Sequence, residues 1–284
     1  MDQRFIDLYD AYTHGAIERR AFFDRLAQVA GGVTAASALF AALRNEYAVA
    51  ETVAEDDPRL VVETVAYGGT GSSGYLVRTK EGGKRGAVIV IHENRGLNAH
   101  IKDVTRRVAL DGYLALGVDL LAVSGGTPAD EDKAREAIGK LDAADTLVKL
   151  KAAVGYLAAH ELGNGRVGAV GFCWGGGTVN RLAAAGAGLH AGVAYYGRTL
   201  PPAEVPQLEA PLLLHYAGKD ERINATIPEF EQALKTAGKP YELFVYEGAN
   251  HAFNNDTSAA RYDEAAAKLA WGRTLEFFKK HLAR

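Results

Sequence analysis

The stretch that decides the fold is Val167 to Gly177, "VGAVGFCWGGG". An apolar run leads into Cys173, the only cysteine of the 284-residue chain, and three glycines follow within four residues. This pattern predicts a buried strand that turns sharply into a helix, with the cysteine at the turn. A free cysteine is commonly just a small buried core residue, so a reactive role depends on what the rest of the chain places beside it.

Buried strands and helices alternate on both sides of this stretch. Two continuous apolar runs precede it, "GAVIVIHE" and "YLALGVDL", and three further buried strands are predicted after it, at "HAGVAYYG", "PLLLHYAGKD" and "YELFVYEG". Upstream, "RLVVETVAY" and "GYLVRTK" flank a glycine-rich loop and predict a β-hairpin. The alternation predicts an α/β fold with a mainly parallel twisted sheet and helices on both faces.

The chain is predicted to divide into an N-terminal segment, residues 1–55, and an α/β domain, residues 56–284. Arg19 and Arg20 precede an uncharged run from Leu26 to Leu43, and "AVA" follows, an order similar to a twin-arginine export signal. Acidic residues before the arginines are unusual in such a signal. We therefore favour a retained helical extension and a cytoplasmic location over a periplasmic one. The run is too short and too rich in alanine and glycine to predict a stable membrane span.

Composition excludes several classes of partner. The net charge is −3 and the isoelectric point is about 6.3, so no basic surface for nucleic acid is expected. One cysteine cannot form an intrachain disulfide or a cysteine-rich zinc site, and no H-E-x-x-H motif occurs. We predict neither a metal nor a cofactor.

Chemically capable side chains follow four of the predicted strands. They are Glu93 with Asn94, then Cys173, then Asp220, and finally His251. Because the carboxyl ends of parallel strands meet at one edge of a sheet, these residues are expected to converge. The chain order is nucleophile, acid and histidine. Each residue alone has an ordinary structural explanation, but together they favour covalent catalysis.

The sequence around the cysteine fits a nucleophile turn. Gly171 and Gly175 stand two residues before and two after Cys173, where small residues let the strand and helix approach. The turn would place the sulfur at a helix N-terminus, which favours a thiolate and a developing oxyanion. The backbone N–H groups of Trp174 and Asn94 are the predicted oxyanion donors.

With these residues in place, the sequence resembles the dienelactone hydrolase family of α/β-hydrolases, which includes carboxymethylenebutenolidases. The resemblance runs from about residue 59 to the C-terminus and rests on "IHENRGLNAHIKDVTRRVALDGYLAL", "GRVGAVGFCWGGG", "VAYYG", "HYAGKDE" and "EGANHAF". It implies a Cys-His-Asp triad of Cys173, His251 and Asp220. It also implies that Glu93 contacts the resting thiol; the alternative is a local ion pair with Arg95.

The chain departs from the family pattern at its substrate-binding arginines. By the resemblance, two arginines that bind a substrate carboxylate would fall near Val123 and Asn255, and neither position is arginine here. Small anionic lactones should therefore bind more weakly. Arg198 is a candidate replacement cation. Trp174 is a candidate apolar wall for the substrate, the alternative being packing of the helix start.

We therefore predict a cysteine-dependent hydrolase of a small-molecule ester or lactone that works through a covalent acyl-enzyme. Acyl transfer or thioester hydrolysis by the same mechanism is one alternative. A ligand-binding or redox-sensing protein without turnover is another, because a fold does not fix a function.

Overall fold

The computed structural model describes residues 1–47, 51–69 and 71–283. Within these ranges the helices are α1 (Gln3–Thr13), α2 (Arg19–Ala30), α3 (Val33–Leu43), α4 (Ala99–Leu110), α5 (Glu131–Gly139), α6 (Ala143–Ala159), α7 (Trp174–Ala183), α8 (Glu221–Asn224), α9 (Ile227–Thr236) and α10 (Glu264–Leu282). The strands are β1 (Leu60–Tyr67), β2 (Ser72–Thr79), β3 (Arg85–Ile91), β4 (Leu114–Asp119), β5 (Gly163–Phe172), β6 (Ala191–Tyr195), β7 (Leu212–Ala217) and β8 (Tyr241–Tyr246). Two short 3-10 helices, Ala122–Ser124 and Pro202–Gln207, lie in connections.

The eight strands form one sheet in the order β1-β2-β4-β3-β5-β6-β7-β8. The β1–β2 hairpin is antiparallel and joins β4 antiparallel, whereas β3 to β8 are parallel to one another. The predicted α/β fold is confirmed. Since β3 lies between β4 and β5, the chain order reverses there, and the carboxyl ends of β3 and β5 flank the crevice where ligands bind in such sheets.

Two apolar clusters cover the two faces of the sheet. Leu150, Val179 and Phe230 bring α6, α7 and α9 onto one face. Val104 and Phe277 bring α4 and α10 onto the other. The central strands are buried on both sides, which explains their continuous apolar sequences.

The prediction that the last strand, β8, is buried is wrong. The segment "YELFVYEG" forms β8, but the strand lies at the edge of the sheet, and its residues before Tyr246 are exposed or half-buried. An edge strand has a neighbour on one side only, so its apolar side chains need not be covered. The strands "HAGVAYYG" and "PLLLHYAGKD" are buried as predicted.

The N-terminal extension, defined here as residues 1–47, has a small core of its own. Tyr9, Tyr12, Phe22 and Leu26 are buried together, and Ala260 of the α/β domain packs against them. The predicted helical extension is present, and its uncharged run from Leu26 to Leu43 covers the end of α2 and the whole of α3, separated by Gly31 and Gly32, both at positive φ. The "AVA" segment, residues 48–50, lies outside the described residues.

No described helix is by itself long and apolar enough to cross a bilayer. Taken together, α2 and α3 are long and apolar enough for a membrane span, but the two helices are bent by 111° at their junction.

Candidate functional site

Cys173 stands between β5 and α7 in a backbone conformation that side-chain-bearing residues rarely adopt. Its φ is 54° and its ψ is −113°. Its N–H donates to the carbonyl of Tyr195 at 3.0 Å, and its carbonyl accepts from Gly177 N–H at 3.2 Å. A strained residue fixed on both sides by strand and helix is typical of a functional position. The predicted strand–turn–helix is confirmed, and the side chain is half-buried.

The two flanking glycines allow the close approach that this turn requires. A Cβ at Gly171 would lie 2.2 Å from the carbonyl oxygen of Gly175. A Cβ at Gly175 would lie 2.5 Å from the carbonyl oxygens of Ile91 and His92. Both distances are far below van der Waals contact, so any larger residue would move α7 away from β5 or β3.

His251 and Asp220 meet beyond the ends of β8 and β7. The Nδ1 atom of His251 is hydrogen-bonded to Oδ2 of Asp220, and both side chains are buried. Burial alone would raise the pKa of Asp220, but His251 and Arg222 lower it below its usual value. Burial alone would lower the pKa of His251, but the charges of Cys173 and Asp220 raise it. Asp220 also accepts from Ile223 N–H at 3.2 Å, so it caps α8 while it orients the histidine.

The extension contributes a residue that the sequence analysis did not predict, His14. Its Nε2 lies 3.3 Å from the sulfur of Cys173, and its ring centroid lies 4.6 Å from that of His251. Burial, followed by the positive charges of His251 and Arg222, holds the pKa of His14 well below its usual value, so the ring is neutral. No motif or spacing singles out one histidine at the end of a short helix.

Glu93 does not donate or accept at the sulfur in this structure. Its Oε2 accepts from Nδ2 of Asn255 at 2.9 Å, and the hydrogen bond to Sγ among the described residues involves His14 instead. Asn255 therefore holds a buried carboxylate at the position where the resemblance implied a substrate-binding arginine. The alternative ion pair with Arg95 is not formed either, because Arg95 pairs with Glu131 at 3.2 Å. A role for Glu93 toward the thiol stays a prediction.

The two predicted oxyanion donors follow neighbouring parallel strands, Trp174 after β5 and Asn94 after β3. Trp174 is the first residue of α7, and its ring stacks on His92 at a centroid distance of 5.5 Å. Asn94 follows β3, and its side chain donates to the carbonyl of Thr13 at 2.8 Å. The Trp174 ring is thus packed at the helix start, and the Asn94 side chain is used to hold the extension.

The candidate substrate cation, Arg198, has an exposed side chain, and its carbonyl accepts from Asn180 at 2.8 Å. Three other arginines, Arg95, Arg106 and Arg261, are buried. Arg261 pairs with Asp10 of the extension at 3.1 Å. Val123, which stands near the other position where the resemblance implied a substrate-binding arginine, is exposed.

Three side chains at this site could hold a metal ion. The ligand atoms of His14, Cys173 and His251 all lie within 4.8 Å of one another. Cysteine-rich and H-E-x-x-H patterns are local in the sequence, whereas these three ligands come from distant parts of the chain and leave no such pattern.

Residues 73–282 match the profile of the dienelactone hydrolase family, which is most of the chain. The chain belongs to the dienelactone hydrolase family. A second profile, described as YqhI-like, matches residues 1–32. The family assignment confirms the resemblance drawn from the motifs.

Individual relatives agree with the family. A protein of Methylorubrum extorquens provisionally named carboxymethylenebutenolidase is 33% identical over 222 residues, which are 73% of this chain and 76% of that protein. A Bradyrhizobium protein provisionally named 2-oxo-3-(5-oxofuran-2-ylidene)propanoate lactonase is 34% identical over 239 residues, covering 78% of this chain and 96% of its own.

The fold is also that of a solved family member. A crystal structure provisionally titled dienelactone hydrolase from Klebsiella pneumoniae superposes with a TM-score of 0.71 at 31% identity, covering 78% of this chain and 99% of that one. This dienelactone hydrolase family member is accordingly an α/β-hydrolase-fold enzyme that hydrolyses esters or lactones.

Proposed function

We propose that the protein hydrolyses a small carboxylic ester or lactone through a covalent acyl-enzyme on Cys173. The observation that carries the proposal is the positive-φ cysteine at the start of α7, beside a buried histidine that is hydrogen-bonded to Asp220. A nucleophile held by strain, with a base oriented by a third group, is the arrangement that covalent acyl transfer requires.

The reaction would proceed in two steps. In the first, His251 takes the thiol proton as the sulfur of Cys173 attacks the carbonyl carbon, and then gives that proton to the leaving alkoxide. In the second, His251 takes a proton from a water that attacks the thioester, and that proton returns to the leaving sulfur of Cys173 as the carboxylic acid is freed. The N–H groups of Trp174 and Asn94 would hold the oxyanion in both steps.

Two histidines lie near the sulfur, and the physical chemistry favours His251 as the base. Its Nδ1 faces the carboxylate of Asp220, which stabilises the imidazolium that forms when it accepts a proton. The Nδ1 of His14 instead lies 2.7 Å from the carbonyl of Asp10, and burial disfavours the charged form of that ring. A neutral partner cannot balance a full positive charge as a carboxylate does.

We propose a preference for neutral over anionic substrates. The Bradyrhizobium relative carries a lactonase name, which supports lactones as a substrate class, although the lactone in that name is a carboxylate; the preference for neutral substrates rests on the arginines of this chain. The buried arginines here are already paired, Arg95 with Glu131, Arg106 with Glu51 and Arg261 with Asp10. Arg198 and Arg222 could supply a cation for a substrate carboxylate, but their exposed side chains would bind such a group weakly.

We propose as well that the extension stays with the α/β domain in the working protein. Three contacts between the extension and the domain support this. His14 lies within hydrogen-bond distance of the Cys173 sulfur, the Thr13 carbonyl accepts from the Asn94 side chain, and Arg19 forms an ion pair with Asp132. The mass of the intact protein isolated from its natural cells would test the proposal. Loss of about the first 50 residues would contradict it and would favour the export-signal alternative.

Substitution of the cysteine tests the mechanism. Cys173→Ala should reduce hydrolysis of p-nitrophenyl acetate by about 10⁴-fold or more, and Cys173→Ser should leave low but measurable activity, because a hydroxyl is far harder to ionise than a thiol. Retention of wild-type activity by Cys173→Ala would overturn the proposal.

The two histidines provide a matched pair of variants for the base. His251→Gln should lower kcat by about 10³-fold or more, whereas His14→Gln should change it by no more than about tenfold. An equal or larger loss in His14→Gln would reassign the base.

A further inference from the structure

Three potential metal ligands come together at the sulfur from three separate parts of the chain. His14 comes from the extension, Cys173 from the β5–α7 turn and His251 from the loop after β8. Zinc bonds of about 2.0–2.3 Å at tetrahedral angles place ligand atoms about 3.3–3.7 Å apart. The observed distance from His14 Nε2 to Cys173 Sγ is 3.3 Å, and all three ligand atoms lie within 4.8 Å of one another. Side-chain shifts of about 1 Å would complete the geometry.

In both histidines Nδ1 faces a hydrogen-bond acceptor, which leaves Nε2 as the nitrogen that can bind a metal. His14 Nδ1 lies 2.7 Å from the carbonyl of Asp10, which can only accept, so this nitrogen carries the proton and Nε2 does not. His251 Nδ1 faces the carboxylate of Asp220 in the same way. The Nε2 of His251 is buried and has no hydrogen-bond partner among the described residues.

This arrangement is the one that metal-binding histidines require. Such histidines donate the ring N–H that does not bind the metal to a carbonyl or a carboxylate, which fixes the ring and makes the ligand nitrogen more basic. Here both donations are already present, to Asp10 and to Asp220. A thiolate with two imidazoles is a donor set that Zn²⁺ binds well, with a fourth position left for water.

We propose that His14, Cys173 and His251 form a binding site for one Zn²⁺ ion, and that the bound ion reversibly inhibits the enzyme. The sulfur binds a metal as a thiolate and each Nε2 binds it unprotonated, so metal binding releases to solvent the proton that the Cys173–His251 pair would otherwise hold. The sulfur and both Nε2 atoms then each form one bond to the ion. Occupancy would remove nucleophile and base together and would fix α1 over the site. The binding site rests on the geometry alone, whereas the inhibition rests also on the proposed function.

The chain offers a direct spectroscopic test, because Cys173 is its only cysteine. The full-length protein, free of tags and stripped of metal, is titrated with Co²⁺ and with Zn²⁺. A thiolate-to-cobalt charge-transfer band can arise only from Cys173. We expect this band, bleached by one equivalent of Zn²⁺, and one proton released per ion.

Variants separate the ligands from incidental surface binding. Cys173→Ser should lose the charge-transfer band, and His14→Ala should weaken Zn²⁺ binding by at least about tenfold. His160→Ala, which changes a partly exposed histidine at the end of α6, should bind as the wild type does. The proposal is overturned if the wild type shows no band, or if His14→Ala binds Zn²⁺ as tightly as the wild type.

An activity measurement keeps the two proposals distinguishable. Hydrolysis of p-nitrophenyl acetate should stop as Zn²⁺ saturates the site and return when EDTA is added. A protein that binds Zn²⁺ at Cys173 but never hydrolyses esters would retain the metal site and refute the proposed function. An enzyme that hydrolyses esters but shows no charge-transfer band would retain the proposed function and refute the metal site.

Discussion

The α/β domain and the N-terminal extension both reach the sulfur of Cys173, but they are held in place differently. The domain supports the cysteine through a parallel sheet buried on both faces and through backbone contacts too close for any residue larger than glycine. The extension is held on the domain mainly by side-chain hydrogen bonds and ion pairs, such as the ion pair between Asp10 and Arg261, and it reaches the sulfur through His14. The domain should therefore set the chemistry, and the extension should adjust access to it.

After the Cys173 and His251 variants, the largest expected effect comes from the orienting acid within the domain. Asp220→Asn keeps an oxygen that can cap α8 but removes the charge that stabilises the protonated His251. We expect kcat to fall by about 10²- to 10⁴-fold with little change in stability. The measurement is steady-state hydrolysis together with thermal unfolding. Glu221→Gln, at the exposed neighbouring residue, is the control and should remain active.

The part of the site that the α/β domain contributes could be predicted from the sequence. Buried parallel strands have apolar runs that can be recognised one at a time, and the rule that their carboxyl ends meet brings Cys173, Asp220 and His251 together without any coordinates. The edge position of β8 could not be recognised in this way, because its sequence is nearly as apolar as that of a central strand.

His14 could not be predicted for a different physical reason. Its contact with Cys173 spans 159 positions and depends on how a separate helical unit docks on the domain. Docking is decided by matching surfaces, and these leave no periodic pattern in either segment. Asn255 shows the same limit: the missing arginine was visible in the sequence, but its hydrogen bond to Glu93 was not.

The second prediction concerns the close approach at the turn. Gly171→Ala would place a Cβ 2.2 Å from a backbone oxygen of α7, so strand and helix must separate. We expect the free energy of unfolding to fall by at least about 2 kcal/mol, with activity lost as well. Gly155→Ala is the matched control, because a Cβ there meets nothing within 4 Å and the residue lies inside α6. The free energy of unfolding of Gly155→Ala should rise by about 0.5–1 kcal/mol, because alanine favours a helix more than glycine does. Equal stability of the two variants in urea would contradict the account of the turn.

The smallest expected effect comes from loosening the extension. Asp10→Asn removes the charge that pairs with Arg261, but burial already raises the pKa of the Asp10 carboxyl and so weakens its preference for the charged form. We expect the free energy needed to open the extension away from the domain to fall by about 1 kcal/mol. Hydrogen exchange should speed up in α1 and stay unchanged in β3 and β5. Asp7→Asn, at an exposed position of the same helix, should change neither. Faster exchange throughout the sheet would mean that the two regions do not open separately.

The central claim is that the single cysteine forms a covalent acyl-enzyme. It is tested most directly by mixing the protein rapidly with p-nitrophenyl acetate, quenching in acid and measuring the intact mass and the modified peptide. We predict one acetyl group per chain, attached to Cys173, which accumulates further in Asp220→Asn because water attack is slowed. Sustained turnover with no acetylated cysteine at any time point, in both proteins, would contradict the claim.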